Sequence, residues 1–233
     1  MGLDLCVRAL SVWVPGIAEK GDLVLWMRGE KVGAPDKVAL PKLSFVPALQ
    51  KRRMTSLSRL TTALIHSLQD KLEPNAKIYF VSLAGETERQ FQVNSMVLQD
   101  EEVLPATFST SVFNAPPAMA SIALGLRNGY SALYPSPQEF FSAVQCVFSA
   151  VLGGNSSQVL MVYGDARAPD EYQALDGACD GTWGFAALLE CGLDSSKNTL
   201  NVQDFTGNSI KRPQDFLLKI SEKNDSLLNL IDE

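Results

Sequence analysis

Side chains able to do covalent chemistry are few in this 233-residue chain, and their spacing assembles no complete set. There is one histidine, His66, four cysteines (Cys6, Cys146, Cys179 and Cys191), and a serine inside a proline turn, Tyr134-Pro135-Ser136-Pro137-Gln138-Glu139. A serine nucleophile needs an adjacent base, and the sequence offers Ser136 none. His66 falls off the Leu60–Leu64–Leu68 stripe, which predicts a solvent-facing helical side chain. The cysteines lack CxxC spacing, and Cys6, Cys146 and Cys191 lie in apolar runs where thiols behave as small buried hydrophobes. Four reduced structural cysteines are therefore expected. The acidic stretch Asp170-Glu171…Asp176…Asp180 does not follow the spacing of a calcium loop and reads as a solvated loop. Gly153-Gly154-Asn155-Ser156 stops a helix and lacks the GK[ST] of a phosphate loop. No metal and no cofactor are expected. Lys51-Arg52-Arg53 could pair with an anion, arginine bidentately, or tie down neighbouring loops.

The hydrophobic pattern supplies the frame. Residues 5–14 are β-rich and stop at Pro15-Gly16. Residues 16–50, punctuated by Gly and Pro, read as an extended connection. Thr55 can cap a helix over residues 55–72, where Leu57, Leu60, Leu64, Ile65, Leu68 and Leu72 recur at helical spacing. Lys77–Val81 fits a buried strand. Glu86 to about Glu101 reads as a helix with Phe91, Met96 and Leu98 as its larger apolar residues. Residues 108–113 read as a strand, and 115–126 as a helix with Pro116 and Pro117 in its first turn. A strand at 130–134 leads to a helix carrying Phe140, Phe141, Val144, Val147, Phe148 and Val151, ended by Gly153-Gly154. Residues 159–163 are another buried strand, and 182–190 with 199–202 form a closing antiparallel pair. Strands alternating with helices predict an α/β fold with a mainly parallel sheet. Residues 206–233 are either a docked helix or a mobile tail.

With 46 % hydrophobic residues and no low-complexity tract, the chain reads as one globular domain. A net charge of −6 argues against a nucleic-acid binder. The N-terminus lacks the pattern of a signal peptide, and no apolar run approaches roughly 20 residues. A cytoplasmic protein without a membrane span is expected.

Several segments resemble, in order, the N-terminal half of the β-ketoacyl synthases. They are Phe45-Val-Pro…Lys51-Arg-Arg-Met-Thr-Ser-Leu-Ser-Arg59-Leu, then Ser82-Leu-Ala-Gly85-Glu86, then Phe108-Ser-Thr-Ser-Val-Phe-Asn114-Ala with Ala118-Met-Ala-Ser-Ile-Ala-Leu-Gly125-Leu-Arg127, and Val159-Leu-Met-Val-Tyr-Gly-Asp165…Pro169. The resemblance implies a thiolase-like fold, truncated to about one βαβαβαββ half over residues 1–205. In that family a strand delivers a reactive cysteine into a helix N-terminus. Counting from Asn114 without a gap lands on Pro137, and one inserted residue lands on Gln138. Neither is a nucleophile, and the family's two catalytic histidines sit in a second half.

The resemblance therefore implies a non-catalytic, chain-length-factor-like subunit, of the kind found beside full-length ketosynthases in type II polyketide systems, including those making aryl polyenes. Its partners would be that ketosynthase, as a heterodimer, and transiently an acyl carrier protein. Gln138 is the tempting substitute for the cysteine, and a merely structural turn is the other reading. Phe91, Met96, Phe108, Phe113, Asn114 and Met119 are the interface or acyl-tunnel candidates, against ordinary core packing. Lys51, Arg52 and Arg53 are the carrier-protein candidates. The rival functions are a decarboxylase using Gln138, a hydrolase using Ser136, or a homodimeric acyl-binding module.

Overall fold

The computed structural model describes residues 4–31, 40–100, 102–154, 156–174, 179, 181–192, 199–223 and 228–231. Its centre is the eight-residue strand β4 (Gln158–Asp165), every residue of which is buried. Alternation along β4 feeds two cores: Val159, Met161 and Tyr163 face one, Leu160 and Val162 the other. On one side of β4 lie β2 (Lys77–Val81) and then β3 (Tyr130–Leu133), both parallel to it. On the other side lies β5 (Trp183–Cys191), antiparallel to β4 and to β1 (Asp4–Trp13). The short β6 (Thr199–Asn201) and β7 (Leu228–Leu230) both pair with β1, giving the order β3-β2-β4-β5-β1-β6 with β7 beside β1.

The expected mainly parallel sheet is thus mixed. Most described strands run one way, but β5 runs the other way between β4 and β1, so its pairings on both sides are antiparallel. The expected closing pair also changes partners: β5 and β6 each pair with β1 and not with one another.

Helices cover both faces. Helix α3 (Ser56–His66) lays Leu60, Leu64 and Ile65 on one face, capped by Thr55, whose side chain accepts from the Ser58 N–H. Beside it lies α6 (Ala115–Leu124), with prolines in its first turn and Gly125 left-handed at its end. The opposite face is covered by α7 (Phe140–Leu152), whose Phe140, Val144, Val147 and Phe148 are buried. The final helix α8 (Pro213–Lys223) adds Phe216, Leu217 and Ile220 to that core, so the C-terminal segment docks as a helix followed by a sheet strand.

The segment expected to be extended between residues 16 and 50 contains α1 (Lys20–Met27) and the single turn α2 (Ala48–Lys51). Leu23 and Met27, one turn apart in α1, are buried. Helix α4 (Thr87–Ser95) continues through a π-helical turn, Met96–Asp100. Residues 108–113 form no strand. Pro105 opens the short helix α5 (Pro105–Phe108), and turns follow it. The hydroxyls of Ser109, Thr110 and Ser111 donate back to the carbonyls of Ala106, Thr107 and Phe108. Such local bonds give the backbone an alternative to a ladder.

The cysteines are unbridged, with Cys6 buried, but Cys146 and Cys191 are exposed although they sit in apolar runs. Cys146 is on the outer face of α7, and Cys191 is the last residue of β5, where burial fades. His66 is exposed and stacks on Phe45, with ring centroids 3.6 Å apart. Asn155, Asp176 and Asp180 lie outside the described residues.

Gly164 and Gly184 are cross-strand partners on β4 and β5, and α3 crosses the sheet over them. A Cβ on Gly184 would stand 2.5 Å from the Tyr163 carbonyl oxygen and 2.9 Å from Leu64 Cδ1. Backbone cannot yield cheaply there. Gly184→Ala is expected to destabilise the fold by about 1–3 kcal/mol, the usual range for overpacking, seen as a lower urea midpoint. An unchanged midpoint would show that α3 is not seated on this glycine pair.

Candidate functional site

The turn between β3 and α7 holds Pro137 and Gln138, the two positions reached by counting from Asn114. Pro135 is buried, while Ser136, Gln138 and Glu139 are exposed. Gln138 has φ +64°, the one non-glycine residue with positive φ among the described residues. Proline is fixed near −65°, so Pro137 cannot take that conformation. The Glu139 N–H donates to the Ser136 carbonyl at 3.0 Å, which closes the turn. A strand-to-helix turn with one residue held in the left-handed region is the backbone form that presents a side chain above a helix N-terminus.

Helix N-termini stabilise oxyanions through unpaired N–H groups. Here the first two are engaged: Phe140 N–H donates to the Lys211 carbonyl at 3.3 Å and Phe141 N–H to the Ile210 carbonyl at 3.1 Å. Of the residue types able to act as base, His66 lies on the exposed side of α3 and makes its ring contact with Phe45.

Phe113, Asn114 and Tyr134 gather beside the turn. The Phe113 ring stands 5.5 Å from that of Tyr134 and 6.0 Å from that of Phe80, and Asn114 Nδ2 donates to Tyr130 Oη at 3.4 Å. Phe113 also rests on Gly85, where a Cβ would meet its ring at 2.7 Å. Phe113 is therefore half core. Phe108 differs: it is 58 % exposed on α5. Val97, Leu98, Leu104, Val112, Ile122 and Tyr134 are also exposed, Leu98 to 83 %. Phe91 stacks edge-on against Tyr172 at 5.4 Å, and Met119 leans on the Leu43–Val46–Met54–Ala63 cluster. Met96 is half-buried in the π-helical turn.

Arg52 and Arg53 are exposed and Lys51 is half-buried. Their backbone does the structural work: the Lys51 carbonyl accepts from Arg59 at 3.1 Å and the Arg53 carbonyl from Arg89 at 3.4 Å. The arginine side chains remain at the surface.

Two buried carboxylates support this region, and sequence reading passed over both. Asp165, fully buried at the end of β4, accepts from Ser82 Oγ, from Tyr163 Oη at 2.6 Å, and from the N–H groups of Leu83 and Ala84 at 3.1 and 3.0 Å. Burial pushes its pKa up and these donors pull it back. Glu86 accepts at Oε1 from Thr55 Oγ1 at 2.8 Å and Ser58 Oγ at 2.9 Å. Their signal was present in the motifs Ser82-Leu-Ala-Gly85-Glu86 and Tyr163-Gly-Asp165, as acids flanked by apolar strands. Among the described residues no group of three or more His, Cys, Asp or Glu side chains could hold a metal ion.

Comparison with known proteins fits this geometry. One chain of the ketosynthase ApeO in complex with its chain length factor ApeC, from Xenorhabdus doucetiae, superposes with a TM-score of 0.69. The match has 23 % identity and covers 82 % of this chain and 80 % of that one. The ishigamide ketosynthase/chain length factor gives a TM-score of 0.59 at 14 % identity, over 84 % of this chain and 64 % of the other. The AntDE:AntF complex, a type II acyl-carrier protein with its ketosynthase, gives 0.60 at 13 %, over 82 % and 64 %. Among proteins of curated function none matches significantly. The fold is therefore the mixed-sheet, thiolase-like α/β fold of the ketosynthases. The sequence profile of the β-ketoacyl synthase N-terminal domain matches residues 25–225, and the chain belongs to that family.

The strained turn gives a direct test. A left-handed conformation costs an L-residue roughly 1–2 kcal/mol relative to glycine, so Gln138→Gly is expected to raise stability by about 1 kcal/mol and Gln138→Val to lower it. Equal melting temperatures for all three proteins would show that the turn relaxes and holds no fixed geometry.

Proposed function

We infer that the chain is a non-catalytic, chain-length-factor-like subunit that pairs with a full-length ketosynthase. The observation that carries this is the turn at Gln138. It keeps the strained backbone of a nucleophile site, yet it presents an amide, and the N–H groups behind it are spent on carbonyls 210 and 211. Acyl transfer needs a nucleophile with a base at hydrogen-bond reach and an open oxyanion site, and this turn supplies neither. Gln138 then stands where the family's cysteine would, and Pro137 precedes it.

Two features support a partner. Strand β3 pairs on one side, with β2, which leaves its other edge open among the described residues. An open edge is a template for another chain unless it is protected. The second is the set of exposed large apolar side chains Val97, Leu98, Leu104, Phe108, Val112 and Ile122, and apolar surface left in solvent can mark an interaction site. A ketosynthase seated there would bring its acyl tunnel toward Phe108, Phe113 and Tyr134. Of these, Phe108 ends helix α5 and Phe113 lies in the turns that follow it. Arg52 and Arg53, with Lys51, offer the acidic carrier protein a docking face. The aryl polyene setting and a cytoplasmic location belong to the same reading. Among the described residues no helix is long and apolar enough to cross a membrane.

Co-expression with the ketosynthase of the same gene cluster should give a stable heterodimer burying more than about 2,000 Å². A monodisperse monomer that ignores the ketosynthase would overturn the reading. Acyl loading from a carrier protein onto Ser136, mapped by mass spectrometry, would instead establish a hydrolase, and malonyl decarboxylation lost in Gln138→Ala a decarboxylase.

The two phenylalanines should separate in the same experiment. Phe113→Ala removes a half-buried ring and should cost about 2–3 kcal/mol, below the roughly 3–5 of a fully buried one. Phe108→Ala should leave the melting temperature of the isolated chain unchanged while lengthening or broadening the products of the complex. An unaltered product profile from a stable Phe108→Ala complex would end the tunnel role.

A further inference from the structure

Glu86 is 1 % exposed, and its two oxygens are treated unequally. Both hydroxyl donors, Thr55 and Ser58, converge on Oε1, and Oε2 has no partner. An ionised carboxylate buried with one oxygen undonated loses several kcal/mol of hydration. A neutral acid is the less costly form: its carbonyl oxygen accepts two hydrogen bonds, and what is left without a partner on Oε2 is an uncharged hydroxyl and not half of a buried charge.

The surroundings agree. From α3 the facing groups are the two hydroxyls, while the Arg59 guanidinium on that helix donates to the Lys51 carbonyl. On α4, Glu88 raises the Glu86 pKa and Arg89 lowers it, with Arg89 donating to Gln92 and to the Arg53 carbonyl. Burial is the largest cause, and the group is pushed up from 4.5 to about 7.

Position gives this proton its consequence. Glu86 joins the start of α3 to the turn 82–86 and is the N-cap residue of α4. Gly85, its neighbour, is the seat of the Phe113 ring, and α4 packs against α5 with the exposed Phe108. We propose that Glu86 is a proton-operated latch: as the neutral acid it holds the turn 82–86 and the start of α4 on α3, and its ionisation releases them and loosens α4, α5 and Phe113. The proton leaves Oε2 for solvent, and the charge formed finds no new donor in the closed state. That these segments face a ketosynthase rests on the function proposed above, whereas the latch itself does not.

The sign follows from linkage. A carboxyl whose folded pKa exceeds its unfolded one stabilises the closed state fully below about 4.5, and that stability is lost as pH rises through about 7. Hydrogen exchange of the chain alone, corrected for intrinsic rates, should show about a tenfold loss of protection at residues 82–95 and 105–113 between pH 6 and 8.5. In Glu86→Gln, which keeps the acceptor at Oε1, the profile should be flat. In Glu88→Gln, which removes a charge raising the group, the midpoint should move to lower pH, and this variant decides the matter if Glu86→Gln does not fold. A flat wild-type profile, or an equal fall in Glu86→Gln, would overturn the latch and leave the subunit reading standing. A pH-dependent profile in a chain that never binds the ketosynthase would do the reverse.

Discussion

Much of this domain hangs on the carboxylate of Asp165. It is the last residue of the most buried strand, and it collects the Tyr163 hydroxyl from β4 and, from the segment that follows β2, the Ser82 hydroxyl and two backbone N–H groups. Removing a partner from such a set leaves buried groups unsatisfied, at about 1–3 kcal/mol each, so the set behaves as a unit. Its first effect is to fix the turn 82–85. Ser82, donating to Asp165, in turn accepts the Gly85 N–H at 2.8 Å. Gly85 takes a φ of +64° that a side chain would resist, and the missing Cβ admits Phe113. Glu86, next in the chain, reaches the cap of α3.

A single line of contacts thus runs from the sheet centre to the surface beside Gln138: Asp165, Ser82, Gly85, Phe113, Tyr134. The line also shows why the turn at 136–139 can be held in a strained form. Tyr163 donates to Asp165 from one side and stands edge-on to Phe140 at 5.5 Å on the other, and Phe140 is the first residue after the turn. Strain at Gln138 persists because both flanks are anchored in the core.

The sequence made the packing legible wherever one period dominated. The α3 stripe, the Thr55 cap, the all-buried β4 and the Gly-terminated α7 follow from spacing and burial alone. It misled where local hydrogen bonds competed with pattern. Phe108 to Phe113 alternates like a strand, but three consecutive hydroxyls bond backward and Pro105 starts a helix ahead of it. Strand order was out of reach, because the insertion of β5 between β4 and β1 is set by how two helical layers cover the sheet, not by any one segment. At the turn, residue counting reached both Pro137 and Gln138, and the left-handed conformation falls on Gln138, where a proline could not adopt it. The two buried acids went unread because a lone Asp or Glu in sequence is nearly always solvated, and all their partners but Tyr163 come from segments 28 to 83 residues away.

The strained turn at Gln138 is maintained by core contacts of its flanks, Tyr134 on Phe113 and Phe140 on Tyr163, and not by the exposed Gln138 side chain. The helix N-terminus behind it is a different matter, since its N–H groups must bond to something once buried. Here carbonyls 210 and 211, just ahead of α8, provide that partner. Docking of the C-terminal segment therefore does two jobs: it completes the aromatic core through Phe216, and it fills the positions an oxyanion would need.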